Sequence, residues 1–284
     1  MQYIYLAIGS VLCALLILKM ITGSKYSAMV ESLDSGEFPL KNLYTVGLSW
    51  GELKLFALRG EMREKLIGQA KLLFDPRYAE YYANIMWSAM VTFVHLSLAV
   101  GFLLAGMMNS AFMVLFGIIC AVLFGYYFVN RMSDLLNDRR IECTAELPEI
   151  VSTMALLVNA GMMLREAWRR IAYSKEGTTY ELMQDACAKM ENGYSEFTAI
   201  TEFGRLCNSA EIRKFTSALT QSMERGSGEL SSFLLRYSSE MWGLKKQVML
   251  QKGEKAASML LGPTAIIFVG IILVVLGGAL GMLI

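Results

Sequence analysis

Hydrophobic residues between Glu146 and Ala172 recur with the spacing of amphipathic helices. A first stripe consists of Leu147, Ile150, Val151, Met154, Leu157 and Val158, and a second of Leu164, Ala167, Trp168 and Ile171. Pro148 favours a helix start there, because its missing N–H would be unpaired in the first turn in any case. Gly161 lies between the stripes and can adopt the positive φ that ends a helix. The pattern predicts a helical hairpin with its turn at Gly161.

The helical pattern continues downstream, and no alternation with period two indicates a strand. Thr178 and Glu181 have the spacing of a capping box for a third helix. Gly226 and Gly228 predict another corner before a last amphipathic helix. We therefore expect residues 131–255 to form a six-helix bundle, which is large enough for one hydrophobic core.

Long uncharged runs indicate that the chain crosses a membrane. Residues 81–130 contain no Asp, Glu, Lys or Arg, and the mean hydropathy of the chain is +0.44. One crossing needs about 20 residues, so this run predicts a hairpin of two spans, at about 86–106 and 111–130. Uncharged runs at each terminus add two spans. The predicted class is an all-α integral membrane protein with about four transmembrane helices.

These patterns divide the chain into five segments. They are a transmembrane anchor at 1–22, a cytoplasmic amphipathic helical segment at 23–85, a transmembrane hairpin at 86–130, the cytoplasmic helical bundle at 131–255 and a C-terminal transmembrane helix at 256–284. We expect the first segment to be an uncleaved anchor, because no basic residue precedes its apolar run.

The distribution of basic residues predicts the orientation. Of the 26 Lys and Arg residues, all but Lys19 lie in segments 23–85 and 131–255. The positive-inside rule then places both segments in the cytoplasm and both termini outside, in a multi-pass protein of the cell (inner) membrane. Acidic residues balance the basic ones in each segment, so we expect no nucleic acid partner, and membrane lipid only as the surrounding solvent.

The residues that usually carry enzyme chemistry are scattered. The chain has one histidine, His95, inside a predicted span, where we expect a neutral ring bonded to a neighbouring helix. No metal-ligand spacing, no phosphate-binding glycine loop and no nucleophile–base pair is present in the sequence. We predict no enzyme activity, no catalytic residue, no cofactor and no metal. Gly270, Gly277 and Gly281 favour close helix packing in the last span, either within the chain or between subunits.

Two segments carry a resemblance to a known family. The Leu-Pro helix with its Gly161 turn, and the segment 223–234 (MERGSGELSSFL), are similar to the type II secretion system F domain, and the likeness covers roughly residues 130–284. The acidic residue Glu224 precedes Gly226 by two places, which departs from the family pattern. The family contains inner-membrane platform proteins of type II secretion, of type IV pilus assembly and of Tad (tight adherence) pili.

The resemblance implies a role and a set of partners. A platform protein couples a hexameric cytoplasmic assembly ATPase to the extraction of pilin subunits and to filament assembly. Secretion-type members have two bundles, whereas this chain has one, as Tad-type members do, so we expect pairing with a paralogous platform protein or with itself. The candidate contact residues are Arg165, Arg169, Arg170, Glu224, Arg225 and Glu229.

Other interpretations remain open at this point. Each candidate contact residue could be an ordinary solvated charge, which contributes about 0–1 kcal/mol to stability. The chain could also be a membrane-anchored adaptor or sensor scaffold for an unrelated cytoplasmic partner. A membrane enzyme with an unrecognised site would need a polar cluster at the cytoplasmic ends of the spans.

Overall fold

The computed structural model describes residues 2–31, 33, 40–53, 56–226, 228–243, 245, 246, 249 and 250. Within these residues the regular structure is helical and contains no strand. The helices are α1 (Gln2–Gly23), α2 (Ser27–Glu31), α3 (Tyr44–Gly51), α4 (Gly60–Leu73), α5 (Ala79–Met108), α6 (Ala111–Asn159), α7 (Leu164–Ala172), α8 (Thr178–Glu191), α9 (Glu196–Leu206), α10 (Ala210–Arg225) and α11 (228–243). The chain divides into two compact units, Met1–Ile141 and Glu142–Ile284.

Three helices of the first unit have the length and hydropathy needed to cross a membrane. The candidate spans are Gln2–Glu31, Pro76–Met108 and Ala111–Asn159. They correspond to the first three predicted crossings, although the second and third helices extend beyond the predicted spans. The fourth predicted crossing, at 256–284, lies outside the described residues, as do Gly270, Gly277 and Gly281.

Helix α5 packs antiparallel to α1 and to α6 through glycines. A β-carbon built on Gly101 of α5 would lie 2.6 Å from the Cα of Gly117 in α6. A β-carbon on Gly9 of α1 would lie 2.7 Å from the backbone nitrogen of Leu103, and one on Gly106 would lie 2.9 Å from the Cα of Leu6. The start of α1, the end of α5 and the start of α6 therefore lie at the same end of this unit.

Helix α3 lies between α1 and α5 near the opposite end of the spans. The helical pattern from Leu48 to Phe74 predicts a short pair of amphipathic helices, and the structure has two helices in this region, α3 and α4. The uncharged α3 ends at Gly51, and α4 begins at Gly60, whose φ is +62°. The N–H of Gly47 donates to Thr92 Oγ1 at 2.9 Å. A side chain at Gly47 would collide with the carbonyl of Ser88, so only glycine allows this approach.

Polar side chains join α1, α3 and α5 between the apolar surfaces. The ammonium group of Lys19 donates to the carbonyl of Ser49 at 3.0 Å and lies 5.1 Å from the centre of the Trp50 ring. His95 Nε2 lies 2.9 Å from the carbonyl oxygen of Leu12. Because a carbonyl only accepts, Nε2 donates, and the predicted bond from His95 to a neighbouring helix is confirmed.

The second unit is built around one core to which α7 to α11 and the last part of α6 contribute. The predicted stripe of α6 is buried at Leu147, Ile150, Val151 and Met154. Trp168 of α7 is fully buried, and its ring meets Phe203 edge-on at 5.1 Å between centroids. These large side chains exclude water from a continuous core of helices that pack side by side.

The structure overturns the prediction that Pro148 opens a helix. Pro148 lies inside α6, which runs unbroken from Ala111 to Asn159. A proline removes one ladder hydrogen bond and costs about 3 kcal/mol in a helix interior. The helix continues because the buried apolar positions continue on both sides of it, from Cys143 to Met154. Ser152 donates a hydrogen bond to the Pro148 carbonyl at 2.7 Å.

Candidate partner-docking surface

Helix α7 has one buried face and one charged face. Leu164, Ala167, Trp168, Ile171 and Ala172 are buried. The remaining positions, Arg165, Glu166, Arg169 and Arg170, are exposed. This division follows from the spacing of the apolar residues, because positions three and four apart share a face. The helix therefore presents three arginines outward from a rigid support.

Two of the three arginines contact α8. Arg165 donates to the carbonyl of Met190 at 2.8 Å, and Arg169 lies 3.9 Å from the carboxylate of Glu191. Carbonyls in the last turn of a helix lack ladder partners and attract cations. Arg165 and Arg169 thus hold the end of α8, whereas Arg170 remains an exposed charge.

A shallow recess lies between the charged side chains of α7 and the last turns of α8. Its volume is about 300 Å³, and it is lined by Met163, Arg165, Glu166, Arg169, Cys187, Met190 and Glu191. The floor is apolar because Cys187 and Met190 are buried, and burial raises the pKa of the Cys187 thiol. The surrounding charges have both signs, so the recess favours an apolar side chain of a protein partner over a small anion.

The two predicted corners lie at the same end of this unit. Gly161 has a φ of +90° between α6 and α7, and Gly226 has a φ of +109° after α10. Just beyond these corners, the hydroxyl of Ser231 donates to the Asn159 side chain at 3.1 Å. Gly228 is not a turn residue as predicted, because it is already helical at the start of α11.

The charged residues around Gly226 differ in their contacts. Arg225 donates to the carboxylate of Glu229 at 2.7 Å, so this pair bridges the corner from α10 to α11. Both side chains are about half exposed, at 56% and 45%, and such a pair contributes little to stability. Glu224 is exposed at the end of α10. Arg170 of α7 and Glu224 of α10 thus remain exposed charges, and we call the exposed charged side chains of α7 and of the Gly226 corner together the corner surface.

Sequence reasoning missed a cap that comes from a distant helix. The predicted capping box is wrong: Gly177 is the N-cap of α8, and no side-chain cap is formed there. Instead the carboxylate of Glu142 in α6 accepts a hydrogen bond from the Thr178 N–H at 2.8 Å. No local signal could have revealed this partner, because it lies far away along the chain. Glu142 fixes the start of α8 against α6.

A second missed network joins α6 to α11. Ser152 contacts Ser238 through their hydroxyl oxygens at 2.8 Å, and the indole N–H of Trp242 donates to the same Ser152 oxygen at 2.5 Å. Trp242 remains 48% exposed despite this bond. The helical spacing of Ser231 and Ser238 was the available signal, because it places both on the α6 side of α11.

The described part of the chain contains no group of three or more His, Cys, Asp or Glu residues that could hold a metal ion. Charged side chains of both signs surround the apolar recess beside α7.

Comparison with known proteins gives one match. A family model described as type II secretion system, protein F, matches residues 150–282. No curated protein and no solved structure matches the chain. The matched region starts in α6 and includes the Gly161 turn, the arginines of α7 and the Gly226 corner.

Proposed function

Residues 150–282 belong to the type II secretion system protein F family, and on this premise we propose that the chain is an inner-membrane platform protein of a pilus or type II-like secretion machine. One observation carries the proposal: the matched region coincides with the helical unit that follows the apolar helices α1, α5 and α6. Platform proteins of this family are generally not enzymes.

In this proposal the chain transmits motion and converts no substrate of its own. A hexameric assembly ATPase hydrolyses ATP in the cytoplasm and docks on the corner surface. The membrane helices then move pilin subunits from the bilayer into the growing filament. What supports this division of labour is the contrast between a charged, rigid helical unit and an apolar group of antiparallel spans.

Arg170 and Glu224 are the residues that we propose for the ATPase contact. Arg165 and Arg169 are occupied with the end of α8, and Arg225 is paired with Glu229. A partner that engages Arg170 and Glu224 breaks no contact within the unit. The recess beside α7 would receive an apolar side chain of the same partner.

The proposed topology places both termini and the α5–α6 turn outside the cell membrane. The antiparallel packing supports it, because the start of α1 and the turn near Asn109 lie at one end of the spans. A cysteine at Asn109 should react with a membrane-impermeant maleimide on intact cells. A cysteine at the exposed Tyr173 should react only after permeabilisation. Labelling of the second site on intact cells would contradict the topology.

Co-purification from native membranes tests the function. We expect a tagged chain to recover a secretion-type ATPase together with a paralogous platform chain or a second copy of itself. The double variant Arg170→Glu/Glu224→Lys should lose the ATPase at least tenfold and keep the platform partner. Arg213→Glu/Glu181→Lys, at exposed positions of α10 and α8, reverses one charge of each sign in the same way and is the matched control. Recovery of neither partner by the unaltered chain would contradict the proposal.

A further inference from the structure

Helix α11 presents a second apolar surface that the core does not use. Leu234 and Met241 point into the core. By contrast, Trp242, Met249 and Leu250 are 48%, 62% and 59% exposed. Trp242 and Met249 are both helical and are seven residues apart, which is the spacing of one helix face. Exposed apolar residues grouped in this way mark a contact surface.

The indole of Trp242 is held at the surface in a defined position. Its N–H donates to Ser152 Oγ, and the ammonium group of Lys245 lies 4.9 Å from the ring centre. The bond to Ser152 and the cation–π contact fix the ring with a polar edge and an apolar face. Tryptophan with this combination is typical of the boundary between headgroups and acyl chains.

The sequence of this surface and of the residues that follow it is rich in positive charge. Lys245 and Lys246 are followed in the sequence by Lys252 and Lys255, with Glu254 as the one acid, so 245–255 carries a net charge of 4 − 1 = +3. Segment 131–255 as a whole has equal numbers of basic and acidic residues, so its net charge does not reveal this cluster. The uncharged run 256–284 begins directly afterwards. Basic clusters beside a membrane span attract anionic lipids.

We propose that Trp242, Lys245, Lys246, Met249 and Leu250 form an interfacial anchor that binds anionic phospholipid headgroups. The ring of Trp242 and the side chain of Met249 enter the interface, and the two lysines contact lipid phosphates. A membrane explains the surface better than a protein groove does, because the lysines cluster beside the apolar run that enters the bilayer. The inference rests on the membrane placement of 256–284 and is independent of the ATPase.

Fluorescence quenching in nanodiscs tests the anchor on the full chain. The chain is reconstituted in phosphatidylcholine alone, or with phosphatidylglycerol, and each bilayer includes brominated acyl chains that quench tryptophan on contact. The signal of Trp242 is the difference between the unaltered chain and its Trp242→Phe variant. We expect stronger quenching of Trp242 with phosphatidylglycerol, and less of it at high salt, since salt screens exposed charges.

Charge variants decide whether the lysines are responsible. Lys245→Gln and Lys246→Gln should each lower the ratio of docked to undocked Trp242 about fivefold. Arg213→Gln/Lys214→Gln removes two charges from the exposed face of α10, twice as many as either lysine variant, and should leave the quenching unchanged. Equal quenching in both lipids, no response to the lysine variants, or an unquenched Trp242 would each overturn the proposal. The last result would assign the surface to a protein partner. A missing ATPase in co-purification does not change this readout.

Discussion

Glycine has a different structural role in each of the two units. In the first unit Gly101 and Gly117 face each other, and a β-carbon on either would lie within 2.7 Å of the other helix's backbone. In the second unit Gly161 has nothing within 4 Å of a β-carbon, but its φ of +90° disfavours other residues. Helices in lipid gain attraction by close backbone approach, because lipid is as apolar as their side chains. The second unit uses glycine to turn the chain.

The same contrast holds for large side chains. The second unit buries Trp168, Phe203 and Phe215 in its core, whereas many large apolar residues of α1 and α6 lie on the outside of the first unit. Water drives the second arrangement, and van der Waals contact between small residues drives the first. Shortening a large side chain should therefore destabilise the second unit, whereas enlarging a small residue should destabilise the first.

The largest effect is expected in the core of the second unit. Trp168→Ala removes a fully buried ring, its contact with Phe203 and its hydrogen bond to the Met183 carbonyl at 3.2 Å. Such a truncation costs about 3–5 kcal/mol. Urea unfolding in detergent, followed by circular dichroism, measures it. Trp242→Ala is the control, because this ring is half exposed. Equal losses for both variants would contradict the assigned core.

In the first unit the destabilising change should be an enlargement of a glycine, with a smaller effect than the truncation in the second unit. Gly101→Leu forces α5 away from Gly117, and overpacking of this kind costs about 1–3 kcal/mol. Gly125→Leu is the control, since a β-carbon there has only Val94 nearby, at 3.7 Å. Thermal unfolding in nanodiscs should separate the two. If Gly101→Leu is as stable as its control, the close crossing is wrong.

Gly161 should respond to backbone preference and not to size. Gly161→Val places a β-branched residue at positive φ and should cost about 1–2 kcal/mol. Gly161→Asn should cost less, because asparagine tolerates this region more readily. Denaturant midpoints of the two variants give the comparison. Identical midpoints for valine, asparagine and glycine would exclude a strained turn at this position.

The smallest effect concerns pH. Burial raises the pKa of the Cys187 thiol above its ordinary value of 9.0, so the unfolded chain ionises first. The stability from this group is constant below pH 9 and is lost as pH rises through the raised pKa. Above pH 9, stability should fall more steeply for the unaltered chain than for Cys187→Ala, by less than about 1.4 kcal/mol per pH unit. Parallel pH profiles would contradict a buried thiol.

Periodicity along the sequence was sufficient for most of the helices, but not for contacts between distant elements. The stripe of α6, the exposed arginines of α7 and three spans follow from spacing and charge alone. The interior position of Pro148 could not be predicted, because local preference favoured a helix start and tertiary burial overrode it. The sequence likewise predicts a free surface charge at Arg165, because it does not show that the end of α8 lies beside this side chain.

The position of α3 has a consequence for biosynthesis. Residues 44–51 leave the ribosome before α5 exists, yet Gly47 depends on Thr92 for its hydrogen bond and on Ser88 for its contact. In a nascent chain that stops before α5, the short uncharged helix α3 therefore lacks one of the two helices that it packs against. The first insertion intermediate should consist of α1 alone, with α3 settling only when the next span arrives.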